Sequence, residues 1–136
     1  MTGTVDCETV TFAALSENLP PARAALRSYM ANASWGGRDL DVVIAVGEVL
    51  QNIIRHGFSG GSARGRITMK MDIRQDVLII EIDDTAPPSL PSSWSSNGRE
   101  AHEGGLGLNM INSIASEVRF TPTADGNHAS LTFDPD

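Results

Sequence analysis

Between residues 39 and 82 the spacing of apolar residues changes from a helical period to a strand period, and few folds accommodate that change. Val43, Val46, Leu50 and Ile54 fall on one stripe of a helix running from Asp39 to about His56, with Val42, Val49 and Ile53 widening it. Further on, Ile67, Met69, Met71 and Ile73 alternate with polar residues, and the stretch from Val77 to Ile82 is nearly all apolar. Arg74-Gln75-Asp76 between them reads as a turn, so a hairpin is expected. A helix with one apolar stripe and a hairpin with one apolar face each need cover, and laying the helix on the sheet supplies both.

The flanking segments extend this layout. Residues 8 to 15 carry β-branched and aromatic positions and predict a first strand. From Asn18 to about Asn32, Ala22, Leu26, Tyr29 and Met30 recur at helical spacing. Asn18 stands where a cap belongs, and Pro20 and Pro21 where a first turn tolerates them. Trp35-Gly36-Gly37 breaks that helix, and Asp39 is placed to cap the next, which Gly57 to Ser62 ends. Residues 85 to 104 are rich in proline and serine with little periodicity, and a loop of that length in a compact domain points to function or disorder. A third helix is expected from about Gly107 to Ser116, then a strand near Val118 to Thr121, a turn at Asp125-Gly126-Asn127 and a last strand from His128 to Phe133. The order predicts an α+β fold: a two-layer sandwich of a mixed, mostly antiparallel sheet with helices packed on one face.

Composition narrows the function. With 136 residues the expectation is a single domain over 1–136. Ten Lys and Arg against seventeen Asp and Glu leave a charge of −7, the wrong sign for a surface that neutralises a nucleic-acid backbone. Cys7 is the only cysteine, which excludes an internal disulfide, a thiolate zinc cluster and a redox pair. No run of about eighteen apolar residues suggests a membrane span, and no charged leader precedes the first strand, so a cytoplasmic protein is expected.

Three features carry chemistry. On the second helix Glu48, Asn52 and His56 recur every fourth residue, and at about 100° per residue they stay along one ridge. That ridge carries a base, an amide and an imidazole, although a solvated helix face would look the same. Glu103-Gly104-Gly105-Leu106-Gly107-Leu108 runs from the long loop into a helix start. Exposed N–H groups without nearby Cβ atoms there let phosphate oxygens approach the backbone. Asp83-Asp84-Thr85-Ala86 closes an apolar strand where the long loop begins, and a carboxylate fixed there can accept a hydrogen bond from an exocyclic amine.

Taken in order, Glu-x-x-x-Asn-x-x-x-His on a helix, an aspartate at a strand end, a long loop and Gly-Gly-Leu-Gly-Leu opening a helix resemble the GHKL (histidine kinase-like) ATPases. At this length the chain looks like the anti-sigma factor serine/threonine kinases of the stress-response and sporulation type. Ser16 to Arg23, Ala45 to Gly57 and the closing Asn127 to Phe133 carry that likeness over nearly the whole chain. The resemblance implies ATP and Mg²⁺ as ligands. Asn52 matches the Mg²⁺-coordinating asparagine, Glu48 the general base, and Asp84 the aspartate that reads the adenine amine. Ala86 occupies the glycine place that follows it. Gly104, Gly105, Leu106 and Gly107 match the phosphate end, and residues 86–103 the ATP lid. Arg23 falls where similar proteins present an arginine to their partner, with Arg27 one turn further on; His56 is left outside the catalytic set.

The resemblance further implies an anti-anti-sigma (STAS) protein as phosphoacceptor, a sigma factor as sequestered partner, and a homodimer. A binding module of the same fold without turnover is the alternative. A detached ATP-binding half of a two-component kinase ranks lower, because no histidine lies on a helical hairpin before residue 38. Ser89-Leu90-Pro91 replaces the Phe-Asp-Pro that many relatives have after the prolines, and Asp83 competes with Asp84 for the adenine role.

Overall fold

The computed structural model describes residues 6–89 and 110–136. Strand β1 (Glu8–Ala14) leads through a short 3₁₀ turn, Ser16–Asn18, into helix α1 (Leu19–Asn32) and then helix α2 (Asp39–Asn52). Strands β2 (Ser62–Arg74) and β3 (Val77–Asp84) follow, and β4 (Glu117–Pro122) and β5 (Asn127–Phe133) close the chain. Residues 110–114 are helical. The expected α+β layout is what forms. The five strands run in the order β1-β2-β3-β5-β4, and every pairing among the described residues is antiparallel.

One face of this sheet is apolar because the strand period is obeyed throughout. Ile67, Met69 and Met71 of β2, Leu78, Ile80 and Ile82 of β3, and Ala129, Leu131 and Phe133 of β5 are all buried. Their neighbours Thr68, Lys70, Glu81, Asp83, His128 and Ser130 take the opposite face. Leu26, Tyr29 and Met30 of α1 and Val42, Val46, Val49 and Leu50 of α2 join the same core, so both helices cover the apolar face. Each fully buried side chain of this size contributes about 1.5–3 kcal/mol relative to exposure, so both helices tie the two layers together. Val43, at the edge of that stripe, is only partly buried.

The β2–β3 hairpin turns on two residues, Gln75 and Asp76, with φ of 51° and 67°. Positive φ at both central positions is the twist-matched hairpin turn, normally filled by Asn-Gly. Here the Trp35 indole donates to the Asp76 carbonyl at 2.8 Å and ties the turn to the segment between the helices.

Two expected caps act differently. The Asn18 side chain accepts nothing from α1; its Nδ2 donates to the Ala13 carbonyl at 2.9 Å and fastens the helix start to the end of β1. Asp39 is the first residue of α2 and Arg38 its N-cap, so Asp39 and Asp41 favour the helix through its N-terminal dipole. The second helix also ends earlier than its apolar spacing suggests. After Asn52 it widens into a π turn, Ile53–Gly57, in which the Phe58 amide reaches back to the Ile53 carbonyl at 3.2 Å.

Just before β5, Gly126 lies close against the end of β3, where an added Cβ would overlap the Asp84 carbonyl oxygen. Because the obstacle is backbone held in the β3–β5 ladder, it cannot rotate away. Gly126→Ala is therefore expected to lower stability by about 1–3 kcal/mol, read as a reduced urea midpoint with unchanged slope.

Candidate functional site

Asn52 and Asp84 are the polar residues buried among the described ones, with 3% and 8% of their surfaces exposed. They reach the same region from different layers. Asn52 ends α2, and the next residue, Ile53, lines a small cavity together with Asp84, Phe120, Asn127 and Ala129. One π turn later, a Cβ on Gly57 would lie 3.0 Å from the Ala86 methyl, so the end of the helix sits against the residues that leave β3. A π turn is a common device at functional sites because it shifts helical phase without breaking the rod. The shift means that His56 does not continue the straight ridge of Glu48 and Asn52.

The two adjacent aspartates are separated by the strand period. Asp83 faces the outer surface of the sheet, where its Oδ1 lies 2.7 Å from His128 Nδ1. Asp84 faces the helices. Its Oδ1 accepts from the Ala86 amide at 2.9 Å and from Asn127 Nδ2 at 3.1 Å. Burial pushes the Asp84 carboxyl above its ordinary value; the Asn127 and Ala86 hydrogen bonds oppose that rise, and the neighbouring Asp83 charge adds to it.

Ala86 is 1% exposed and has no positive φ, so this chain needs no glycine at that position. Its methyl group is accommodated by the missing side chain of Gly57. The cavity beside Asp84 holds about 10 Å³, roughly one water, so an aromatic base would have to displace side chains to enter.

Glu48 is half-buried one turn before Asn52. Gly47 beside it lets α1 contribute, for a Cβ there would come within 2.7 Å of Arg23 Nε. The half-buried Arg23 guanidinium thus lies across α2 next to the turn that carries Glu48, whereas Arg27 is exposed. Gly104, Gly105, Leu106 and Gly107 lie outside the described residues, as do residues 90–103 of the expected ATP lid.

The donor set suits a magnesium ion shared with a substrate better than a protein-enclosed metal. No group of three or more His, Cys, Asp or Glu arranged to hold a metal ion occurs among the described residues. Asn52 is buried as a residue, and its carboxamide makes no side-chain hydrogen bond with a described residue, which leaves its oxygen available. A single hard oxygen donor completed by waters and phosphate oxygens is a usual environment for Mg²⁺. The residue that sequence reasoning missed is Asn127. It falls at the junction of the Asp125-Gly126-Asn127 turn and the last strand and starts β5, and asparagine at a strand position, where it is disfavoured, is the available signal of a role in the site.

The sequence profile of the histidine kinase-like ATPase domain matches residues 12–133. No curated protein matches the chain significantly. Among solved structures, the RsbU and RsbW domains of Rv1364c from Mycobacterium tuberculosis superpose with a TM-score of 0.68 at 22% identity, over 95% of this chain and 32% of that one. The histidine kinase domain of the Erythrobacter litoralis EL346 blue-light activated histidine kinase gives 0.55 at 14%, over 86% and 59%. Acinetobacter baumannii histidine kinase AdeS gives 0.52 at 10%, over 95% and 68%. The chain spans about a third of the first of these and under two-thirds of the second. At such identities the likeness concerns the fold, which agrees with the sheet order and helical layer described above. Since the profile runs from within β1 to the last residue of β5, the chain belongs to the histidine kinase-like ATPase domain family.

Proposed function

We propose that this protein is an ATP- and Mg²⁺-dependent serine/threonine kinase of the anti-sigma factor type. It transfers the γ-phosphoryl group to a hydroxyl of an anti-anti-sigma (STAS) protein and holds a sigma factor when that partner is absent. The observation that carries the reading is the burial of Asn52 and Asp84 where the end of α2 meets the end of β3. Burying polar side chains costs stability unless hydrogen bonds satisfy them, and Asp84 Oδ2 and the Asn52 carboxamide have none from a described residue, which leaves both for a ligand.

In this reading Asp84 Oδ2, which accepts no hydrogen bond from a described residue, receives the exocyclic amine of adenine. Asn52 holds the ion through its amide oxygen, and bound Mg²⁺ would neutralise charge on the phosphate oxygens. Glu48, one turn away, takes the proton of the attacking serine or threonine hydroxyl. The hydroxyl oxygen bonds to the γ-phosphorus as the bond to the bridging oxygen breaks, and ADP leaves. The glycine run from Gly104 to Gly107 would meet the phosphates.

A protein acceptor, rather than a small molecule, fits the surface around Glu48. Leu40 and Ile44, which precede it at four-residue steps on α2, are 63% and 51% exposed, and Arg23 lies beside the same turn. The negative charge of the chain favours encounter with basic segments of a sigma factor.

Incubation with labelled ATP and STAS proteins from the same genome tests the proposal. Phosphate should appear on a serine or threonine of one of them, while tight nucleotide binding without transfer would identify a binding module. Glu48→Gln should retain ATP affinity and lose about 10²–10⁴-fold in transfer rate, measured in single turnover. Asn52→Ala should remove the Mg²⁺-dependent part of ATP affinity in calorimetric titration.

The raised pKa of Asp84 gives a further outcome. Its ionised form is needed to accept the amine, so ATP affinity should fall as pH drops, beginning above the usual aspartate value of about 3.9. For stability the sign is opposite. A carboxyl whose folded pKa is raised contributes at pH below its unfolded value, and the contribution is lost as pH rises through the folded value. Asp84→Asn should therefore melt no lower than the native protein at neutral pH, yet bind ATP at least about tenfold more weakly with the pH dependence removed.

A further inference from the structure

Asn127 makes four hydrogen bonds that converge on one corner of the site. Its Nδ2 donates to Asp84 Oδ1 at 3.1 Å, to the Pro87 carbonyl at 3.2 Å and to the Ala86 carbonyl at 3.4 Å. Its Oδ1 accepts from the Ser89 amide at 2.8 Å. The orientation of the carboxamide follows from its partners, since a carboxylate and two carbonyls can only accept and a backbone amide can only donate. Asn127 is also opposite Asp84 in the β3–β5 register, so the backbone ladder sets the distance between the two side chains.

This arrangement uses one Asp84 oxygen and spares the other. Oδ1 is held by the Ala86 amide and by Asn127, while Oδ2 accepts from no described residue. A carboxylate fixed at one oxygen cannot swing about its bond to the chain, and its second oxygen keeps a set direction within the cavity that Ile53, Phe120 and Ala129 also line. Resting on the nucleotide reading above, we infer that Asn127 is a positioning residue for base selection: by fixing Asp84 Oδ1 it aims Oδ2 at a purine amine. The same side chain ties down Ala86 to Ser89, the first residues beyond β3.

Such a role predicts a loss confined to ligands that carry the amine. In competition against a fluorescent ATP analogue with Mg²⁺, wild type should prefer ATP to purine riboside triphosphate, which lacks the exocyclic amine. Asn127→Ala should weaken ATP by about tenfold, as expected for a hydrogen bond to a charged group, and leave purine riboside triphosphate nearly unchanged. Asn127→Asp keeps the size of the side chain and the oxygen facing Ser89 but cannot donate to Asp84 when ionised, and the same selective loss is expected. If the alanine variant fails to fold, the aspartate variant decides. An equal loss for both nucleotides, which loosened packing would cause, overturns the inference, and so does no loss. Failure of wild type to bind ATP would instead overturn the nucleotide reading itself.

Discussion

The packing of the α2 stripe onto β2, β3 and β5 determines where everything else in this domain can lie. Val46, Val49, Leu50 and Ile53 are buried against a sheet face supplied by Ile67, Met69, Ile80, Ile82 and Leu131. Because that contact is apolar and extends along the helix, it fixes the end of α2 against the end of β3. Asn52 and Asp84 are then carried inward by position alone: each sits at the last place of an element whose neighbouring inward residues are hydrophobic. The core thus does more than stabilise the domain, since it removes two polar groups from water and holds them in the same region. A site built this way is held by apolar packing on both its helix and its strand side.

The outer face of the sheet obeys different chemistry. Thr11 and Thr68 pair across β1 and β2 at 3.2 Å, and His128 lies between Asp83 at 2.7 Å and Glu81 at 3.7 Å. These groups are partly exposed, so their pairings contribute little to stability beyond cross-strand complementarity. Their value to the site is indirect. By placing Asp83 outward with a partner of its own, the strand period leaves Asp84 as the carboxylate that faces the helices, and a one-residue slip would exchange them.

How much of this was legible in the sequence follows from the range of the interactions involved. Alternation in β2 and β3 and the stripe of α2 are local patterns, and they specify the two layers and the antiparallel hairpin. The π turn at Ile53 is not legible in the same way: the apolar spacing of Ile53 and Ile54 suits an α-helix, and the turn ends at Gly57, close against Ala86 from a distant part of the chain. The same holds for the ends of the helices. Asn18 has the chemistry of a cap, but a partner in β1 is available at Ala13 and takes its amide. Asn127 has the composition of a turn residue beside Asp125 and Gly126, and its part in the site becomes apparent only when Asp84 lies opposite.

Ala86 shows how a departure from a family pattern can be absorbed by a distant residue. Glycine at this place would lack the methyl that alanine supplies, and that methyl is the nearest atom a Cβ on Gly57 would meet, at 3.0 Å. A side chain at both positions would push the π turn away from the residues that follow Asp84. The pair therefore behaves as one volume shared between helix and strand, and its distribution is constrained more than either residue alone. Ala86 also donates its amide to Asp84 Oδ1, a bond that needs the backbone in place but no special φ. The substitution consequently preserves both requirements of the corner, close approach of the two elements and a donor for the buried carboxylate, which is why a chain lacking the usual glycine can still hold Asp84 in a defined orientation.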